Sequence, residues 1–236
     1  MTNGISNNHR NTLIPLSRHE IAEEVQRQIV AIEKEFEQAF TFINKYPKSV
    51  TFFGSARFSE NNEHYKVAQK LANRLSKLGY SILTGGGGGV MEAANRGAYE
   101  AGGESLGINI KLPEEQIPNR FLNAEVECSF FFSRKTALSF GAEAYIFLPG
   151  GFGTLDEFFE MITLIQTKKI PAIPVILFGK DYWEPLHEFI YNHIYVAHNA
   201  IRKEDMDLYV ITDDEDEVVR HIEEATTKRA NGIKKN

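Results

Sequence analysis

Short apolar runs alternate with amphipathic stretches along most of this chain, and that alternation constrains the fold before any motif is read. Ser49–Phe53, Tyr80–Thr84, Ser105–Ile110, Glu125–Phe131, Ala144–Leu148, Ile173–Phe178 and Leu208–Ile211 read as strands. Between them, Asn61–Leu78, Met91–Ala101, Ser133–Gly141, Thr154–Thr167 and Tyr182–Tyr195 read as helices. The first of these puts Tyr65, Ala68, Leu71, Ala72, Leu75 and Leu78 on one side, and Gly79 stops it. Strand–helix alternation with short links implies an α/β fold of the Rossmann-like, doubly wound kind: a mostly parallel sheet with helices on both faces. In such folds ligands sit beyond the carboxyl ends of the strands, so the residues just after each strand carry the functional information.

A longer apolar stripe precedes the first strand. Ile21, Val25, Ile29, Ile32, Phe36, Phe40 and Ile43 recur every three or four residues, which predicts a helix from Ser17 to near Tyr46–Pro47. A helix of that kind packs on its own domain or on a second subunit, so a homodimer or higher homo-oligomer is expected rather than a monomer. Residues 1–16 are polar and are expected to form a flexible arm, 17–228 a single domain, and 229–236 a frayed tail. Thr212 or Asp213 is expected to cap the last helix, which should end near Lys228.

Composition narrows the partners. The net charge of −6 argues against a nucleic-acid polymer, which needs an electropositive face. A small anion held by backbone groups and one or two arginines is compatible with it. The lone Cys128 excludes an intramolecular disulfide and any multi-cysteine metal centre. The first twenty residues contain no apolar core of a secretory signal. The longest apolar run, Ile170–Phe178, is broken by Pro171 and Pro174 and is too short to span a bilayer. The expectation is a cytoplasmic protein without membrane contact.

Four strand ends stand out. Gly54-Ser55-Ala56-Arg57 is either a plain tight turn or a polar turn whose Ser55 and Arg57 donate to an anion. The run Gly85-Gly86-Gly87-Gly88-Gly89, followed by Val90-Met91-Glu92, joins a strand to a helix that must pack on it. A flexible linker is a poor explanation there, and the expected reason is close backbone approach with N–H groups free for an anion. Pro149-Gly150-Gly151-Phe152-Gly153-Thr154 opens another helix, with Thr154 able to cap or donate and Glu157 one turn on. Glu157 is either a capping-box carboxylate or a group at the ligand rim. Ser133-Arg134-Lys135 places basic residues at a helix start, where they oppose the macrodipole, so an anionic ligand or acidic partner is one reading and a solvated face the other. Several chemistries are missing from the pattern: there is no G-x-x-x-x-G-K-[ST], no G-x-G-x-x-G in the first strand–helix turn, no H-E-x-x-H and no nucleophile elbow.

Taken together, Pro149 to Glu157 (PGGxGTxxE), Arg134-Lys135 and the Gly85–Gly89 run with Met91-Glu92-Ala93-Ala94-Asn95 resemble the LOG family. These are the cytokinin riboside 5′-monophosphate phosphoribohydrolases, often mislabelled as lysine decarboxylase-like. Order and spacing agree from about Val50 to Phe178. Many members carry His-Glu before the Arg-Lys pair where this chain has Phe132-Ser133, and many carry Glu at Asp156. The resemblance implies hydrolysis of the N-glycosidic bond of a nucleoside 5′-monophosphate, AMP or an N6-modified AMP, with no metal and no organic cofactor. It implies Glu157 and Arg134 as catalytic residues. It implies substrate and phosphate binding by Gly54, Ser55, Arg57, Gly86, Gly87, Gly88, Glu92, Lys135, Gly150, Gly151, Gly153 and Thr154. Two other readings stay open: a non-catalytic nucleotide-binding or carrier protein on the same fold, and a decarboxylase in which Lys135 forms a Schiff base with pyridoxal phosphate.

Overall fold

The computed structural model describes residues 18–112 and 117–233, so the arm expected at 1–16 lies outside the described residues. Seven strands form one sheet in the order β4-β3-β2-β1-β5-β6-β7, and every pair is parallel. They are β1 (Ser49–Phe53), β2 (Ser81–Thr84), β3 (Ser105–Ile110), β4 (Ala124–Cys128), β5 (Ala142–Phe147), β6 (Val175–Phe178) and β7 (Val210–Thr212). The helices are α1 (Arg18–Ile43), α2 (Glu63–Lys77), α3 (Val90–Glu100), α4 (Phe131–Phe140), α5 (Phe152–Gln166), α6 (Lys180–Phe189) and α7 (Glu215–Ile233). The chain leaves β1 towards β2 on one side and returns to β5 on the other. The strand order therefore reverses between β1 and β5, and a crevice opens at their carboxyl ends.

Buried strands on both faces explain the short, continuous apolar runs of the sequence. One face packs Val50, Phe52, Ile82 and Ile146 under α2, α3 and α7. The other packs Phe53, Leu83, Tyr145 and Phe147 under α1, α4, α5 and α6. At its centre Phe147 lies edge-on to Phe158 (centroids 5.7 Å apart) and to Trp183 (6.5 Å). Each such fully buried ring contributes roughly 1.5–3 kcal/mol, so this cluster locks α5 and α6 against the strand that feeds the crevice.

The expected N-terminal helix is present, but its stripe divides. Ala39, Phe42 and Ile43 are buried against the sheet layer, whereas Ile21, Val25 and Ile29 are exposed. The C-terminal helix starts later and ends later than its residues suggest. Asp214, not Thr212 or Asp213, accepts the Asp216 N–H at 2.8 Å, and α7 runs to Ile233. The helix expected over Tyr182–Tyr195 is regular only to Phe189 and then widens into a π-type turn through Ile190–Ala197. Among the described residues no helix is long and apolar enough to cross a membrane.

Candidate active site

Three strand ends are tied into one unit. The Ser55 N–H donates to Pro149 O (3.0 Å), and the Val90 N–H donates to Ser55 O (2.9 Å). The turn after β1 is thus held between the turns after β2 and β5. A cavity of about 910 Å³ opens above them, a size suited to a nucleotide-sized ligand. Of the residues singled out in the sequence, Gly54, Ser55, Arg57, Arg134, Gly150, Gly151, Gly153, Thr154 and Glu157 line it. Gly86, Gly87, Gly88, Glu92 and Lys135 are not among its walls, while Gly85 and Met91 are.

The glycine run after β2 turns mostly towards the protein itself. A Cβ at Gly85 would overlap the Arg134 guanidinium, and one at Gly86 would overlap the Asn109 amide. Gly89 has a φ of +65°, and a Cβ there would overlap Ser55 O and Ala56. The close approach foreseen from the sequence is therefore, at these three positions, an approach by the chain's own groups. Asn119 braces the run from outside: its Nδ2 donates to Gly86 O (3.2 Å), Gly87 O (3.1 Å) and Asn95 Oδ1 (2.9 Å). Asn95 in turn accepts from Thr84 Oγ1 at 2.6 Å. Buried amides with this many partners fix a loop because every bond lost would leave an unpaired buried group. Glu92 is occupied differently, accepting from the Tyr65 hydroxyl at 3.1 Å.

The turn after β5 is open by contrast. Gly151 is the N-cap of α5 with no side-chain cap, and a Cβ at Gly151 or Gly153 would meet nothing within 4 Å. Gly150 is the exception, since a Cβ there would overlap Thr154 Oγ1. The Tyr182 hydroxyl pins the turn by donating to Gly150 O at 2.8 Å. An uncapped helix N-terminus facing a cavity presents N–H groups and the positive end of the macrodipole to an anion.

Arg134 rises from the first turns of α4 onto the same cavity. Its Nε donates to Ile108 O (2.8 Å) and its Nη2 to Gly85 O (3.2 Å), which fixes the guanidinium plane. Burial weakens its charge, and the Glu157 carboxylate supports it. The start of α4 has no cap of its own; instead Glu35 of α1 accepts the N–H groups of Ser129 (2.6 Å) and Phe130 (3.3 Å). Lys135 points elsewhere, into ion pairs with Asp156 (2.8 Å) and Glu160 (2.9 Å). Burial opposes its charge, but those carboxylates outweigh it and hold the ammonium above the usual lysine range.

Glu157 lies at the cavity wall with only 8% of its surface exposed. Among the described residues its Oε2 has no hydrogen-bond partner. Desolvation pushes its pKa up to about 7, against the pull of Lys135 and Arg134. It is not the capping-box carboxylate that the spacing also allowed, because α5 starts at Phe152 with Gly151 as its N-cap, which puts Thr154 inside the first turn and Glu157 beyond it. A buried carboxylate without a hydrogen-bond donor is costly unless something cationic meets it. Phe58, Phe131, Phe152 and Tyr182 add an aromatic stretch to the wall, beside Leu138, Leu155 and Asp156. No motif flags Phe58, Phe131 or Tyr182, and Phe152 stands only at the variable position of PGGxGTxxE; Phe131 and Phe152 each open a helix flanking the site, which could have suggested them.

Residues 91–222 match the family model described as possible lysine decarboxylase. A cytokinin riboside 5′-monophosphate phosphoribohydrolase of Arabidopsis thaliana is 30% identical over 150 residues, covering 62% of this chain and 70% of that protein. Among solved structures, the structural-genomics X-ray structure of TM1055 is 26% identical with a TM-score of 0.57, covering 75% of this chain and 99% of that one. The molybdenum cofactor carrier protein of Chlamydomonas reinhardtii is 21% identical with a TM-score of 0.55, covering 76% and 99%, a likeness of fold alone.

Proposed function

The chain belongs to the LOG family, whose model carries the description possible lysine decarboxylase, and from that membership and the cavity we propose that it hydrolyses the N-glycosidic bond of a nucleoside 5′-monophosphate. The products are a free base and ribose 5-phosphate, and the substrates in view are AMP and N6-modified AMP. The observation that carries the reading is the Glu157 carboxylate, desolvated and short of a partner, on the wall of a cavity that also receives the uncapped start of α5.

In this reading the 5′-phosphate lies at the α5 N-terminus, with Ser55, Thr154 and Arg57 as further donors. Cleavage breaks the bond from C1′ to the base nitrogen, and the electron pair leaves with the base. The sugar then carries oxocarbenium-like positive charge. An ionised Glu157 is stabilised by that charge in the transition state more than in the ground state, which is differential binding. Water supplies hydroxide to C1′ and a proton to the departing base. Arg134, held in plane by two carbonyls, balances the carboxylate before the sugar charge develops. The exposed apolar half of α1 supports a homodimer or larger homo-oligomer as part of the same reading.

The decarboxylase description fits the residues poorly. A lysine that forms a Schiff base must lose its proton, and Lys135, itself not part of the cavity wall, is held charged between Asp156 and Glu160. The deciding experiment is a chromatographic screen of nucleoside 5′-monophosphates for free base and ribose 5-phosphate. Release of base supports the hydrolase. Nucleotide binding by calorimetry with no release from any substrate replaces it with the non-catalytic carrier.

A further inference from the structure

Part of the cavity wall has no task in the chemistry above. Phe131 opens α4 and Phe152 opens α5; both line the cavity, and they are 58% and 93% exposed. Their neighbours behave otherwise. Phe132 packs against Phe36 and Phe130 (centroids 6.3 and 5.3 Å), whereas among the described residues neither Phe131 nor Phe152 has an aromatic partner. A phenyl ring left in water is apolar surface that burial would stabilise, and two such rings flank the same opening.

Their positions along the helices matter. Phe131 stands three residues before Arg134 on α4, so both lie on one face of that helix. Phe152 sits on the first turn of α5, the same turn whose N–H groups are uncapped. The polar groups of this cavity are thus taken up at the turns after β1 and β5, at Arg134 and Glu157, and in the Asp156–Lys135 pair, and the two free rings are left without a task. A nucleotide that puts its phosphate on α5 and its C1′ near Glu157 still has a planar base to place. The Tyr182 hydroxyl is committed to Gly150 O, so it does not read a base edge.

We propose that Phe131 and Phe152 stack on the base of the bound nucleotide, so that this site selects nucleoside 5′-monophosphates by the face of the base rather than its edge. This rests on the hydrolase reading and deepens it. Every base has a π-face, so the substrate class is broad, with purines favoured over pyrimidines by their larger stacking area.

The test separates the base from the sugar phosphate. Phe131→Ala, Phe152→Ala, the double variant and Phe152→Trp are compared with the unaltered chain for kcat/KM on AMP, GMP and CMP and for inhibition by ribose 5-phosphate, which has no base. The alanine variants should lower kcat/KM about tenfold or more, the scale of losing one base–aromatic stack. Ribose 5-phosphate inhibition should stay within about twofold, and Phe152→Trp should keep most of the activity. Thermal midpoints should not move, because the rings are solvent-facing. The inference is overturned by unchanged kcat/KM in the double variant, by an equal loss of ribose 5-phosphate inhibition, or by a change of assembly state that accompanies the loss. A strict preference for one base, above a hundredfold, overturns it as well. Absence of base release from every nucleotide by the unaltered chain is a different result: it removes the hydrolase reading, and this inference with it.

Discussion

The two glycine-rich turns look alike in sequence and differ in what approaches them. After β2, the glycines make room for Arg134, Asn109 and the backbone of the β1 turn. After β5, Gly151 and Gly153 face open space at an uncapped helix start. Glycine at a strand end therefore signals close approach without saying by whom. The partner decides whether the residue belongs to the scaffold or to the ligand face.

That contrast can be broken by substitution. Gly89→Ala should have the largest effect on stability, since it forces a side chain onto a φ of +65° and into Ser55 O. A loss above about 3 kcal/mol is expected, read as a fall in the thermal or denaturant midpoint. A midpoint near that of the unaltered chain would mean the run is not a packing device. Glu157→Gln tests the open side and should cost turnover about a hundredfold or more. Its stability should move the other way. The folded pKa of about 7 lies above the usual 4.5, so the folded state binds the proton more tightly. Protonation thus supports folding at low pH, and that support is lost as pH rises from 4.5 through 7. The neutral glutamine escapes this loss and should raise stability at pH 8 by up to about 3 kcal/mol. With the carboxylate as the active form, kcat/KM of the unaltered chain should climb through pH 7 to a plateau, and a profile falling over that range would assign Glu157 as an acid instead.

A smaller effect separates the brace from the turn. Asn119→Ala removes the side-chain donor to Gly87 O and Asn95 Oδ1, while the Asn119 N–H still serves Gly86 O, and should cost about 2 kcal/mol in denaturation. Smallest in stability is Gly151→Ala, which adds a methyl group to open space and should shift the midpoint by less than about 1 kcal/mol. Its activity should nevertheless fall by roughly tenfold or more, because the methyl group intrudes where the phosphate is proposed to lie. Equal retention of activity and stability would place the ligand away from this turn.

Periodicity made the layers legible: seven strands and most helix bounds follow from apolar spacing, because burial on two faces demands it. The switch between β1 and β5 was legible only as a consequence of fold class. What escaped the sequence are contacts made across space. Nothing near Asn119 in the chain announces that its amide holds Gly86 and Gly87, and nothing near Tyr182 announces Gly150. Lys135 adjoins Arg134 yet turns away from the cavity, because successive helix residues point about 100° apart and two acids of α5 receive it. Nothing in the residues Ile190–Ala197 themselves marks the widened turn.

Glu35 gives the first helix a reach that its distance from the site conceals. Its carboxylate accepts the two N–H groups just before α4, and α4 carries the guanidinium that sits against Gly85. The lead-in to that helix is thereby braced from a segment some hundred residues upstream. A chain shortened to begin at β1 would lose both the packing of Ala39, Phe42 and Ile43 on the sheet layer and the acceptor for the lead-in to α4, so the opening segment works less as an appendage than as a tuning peg.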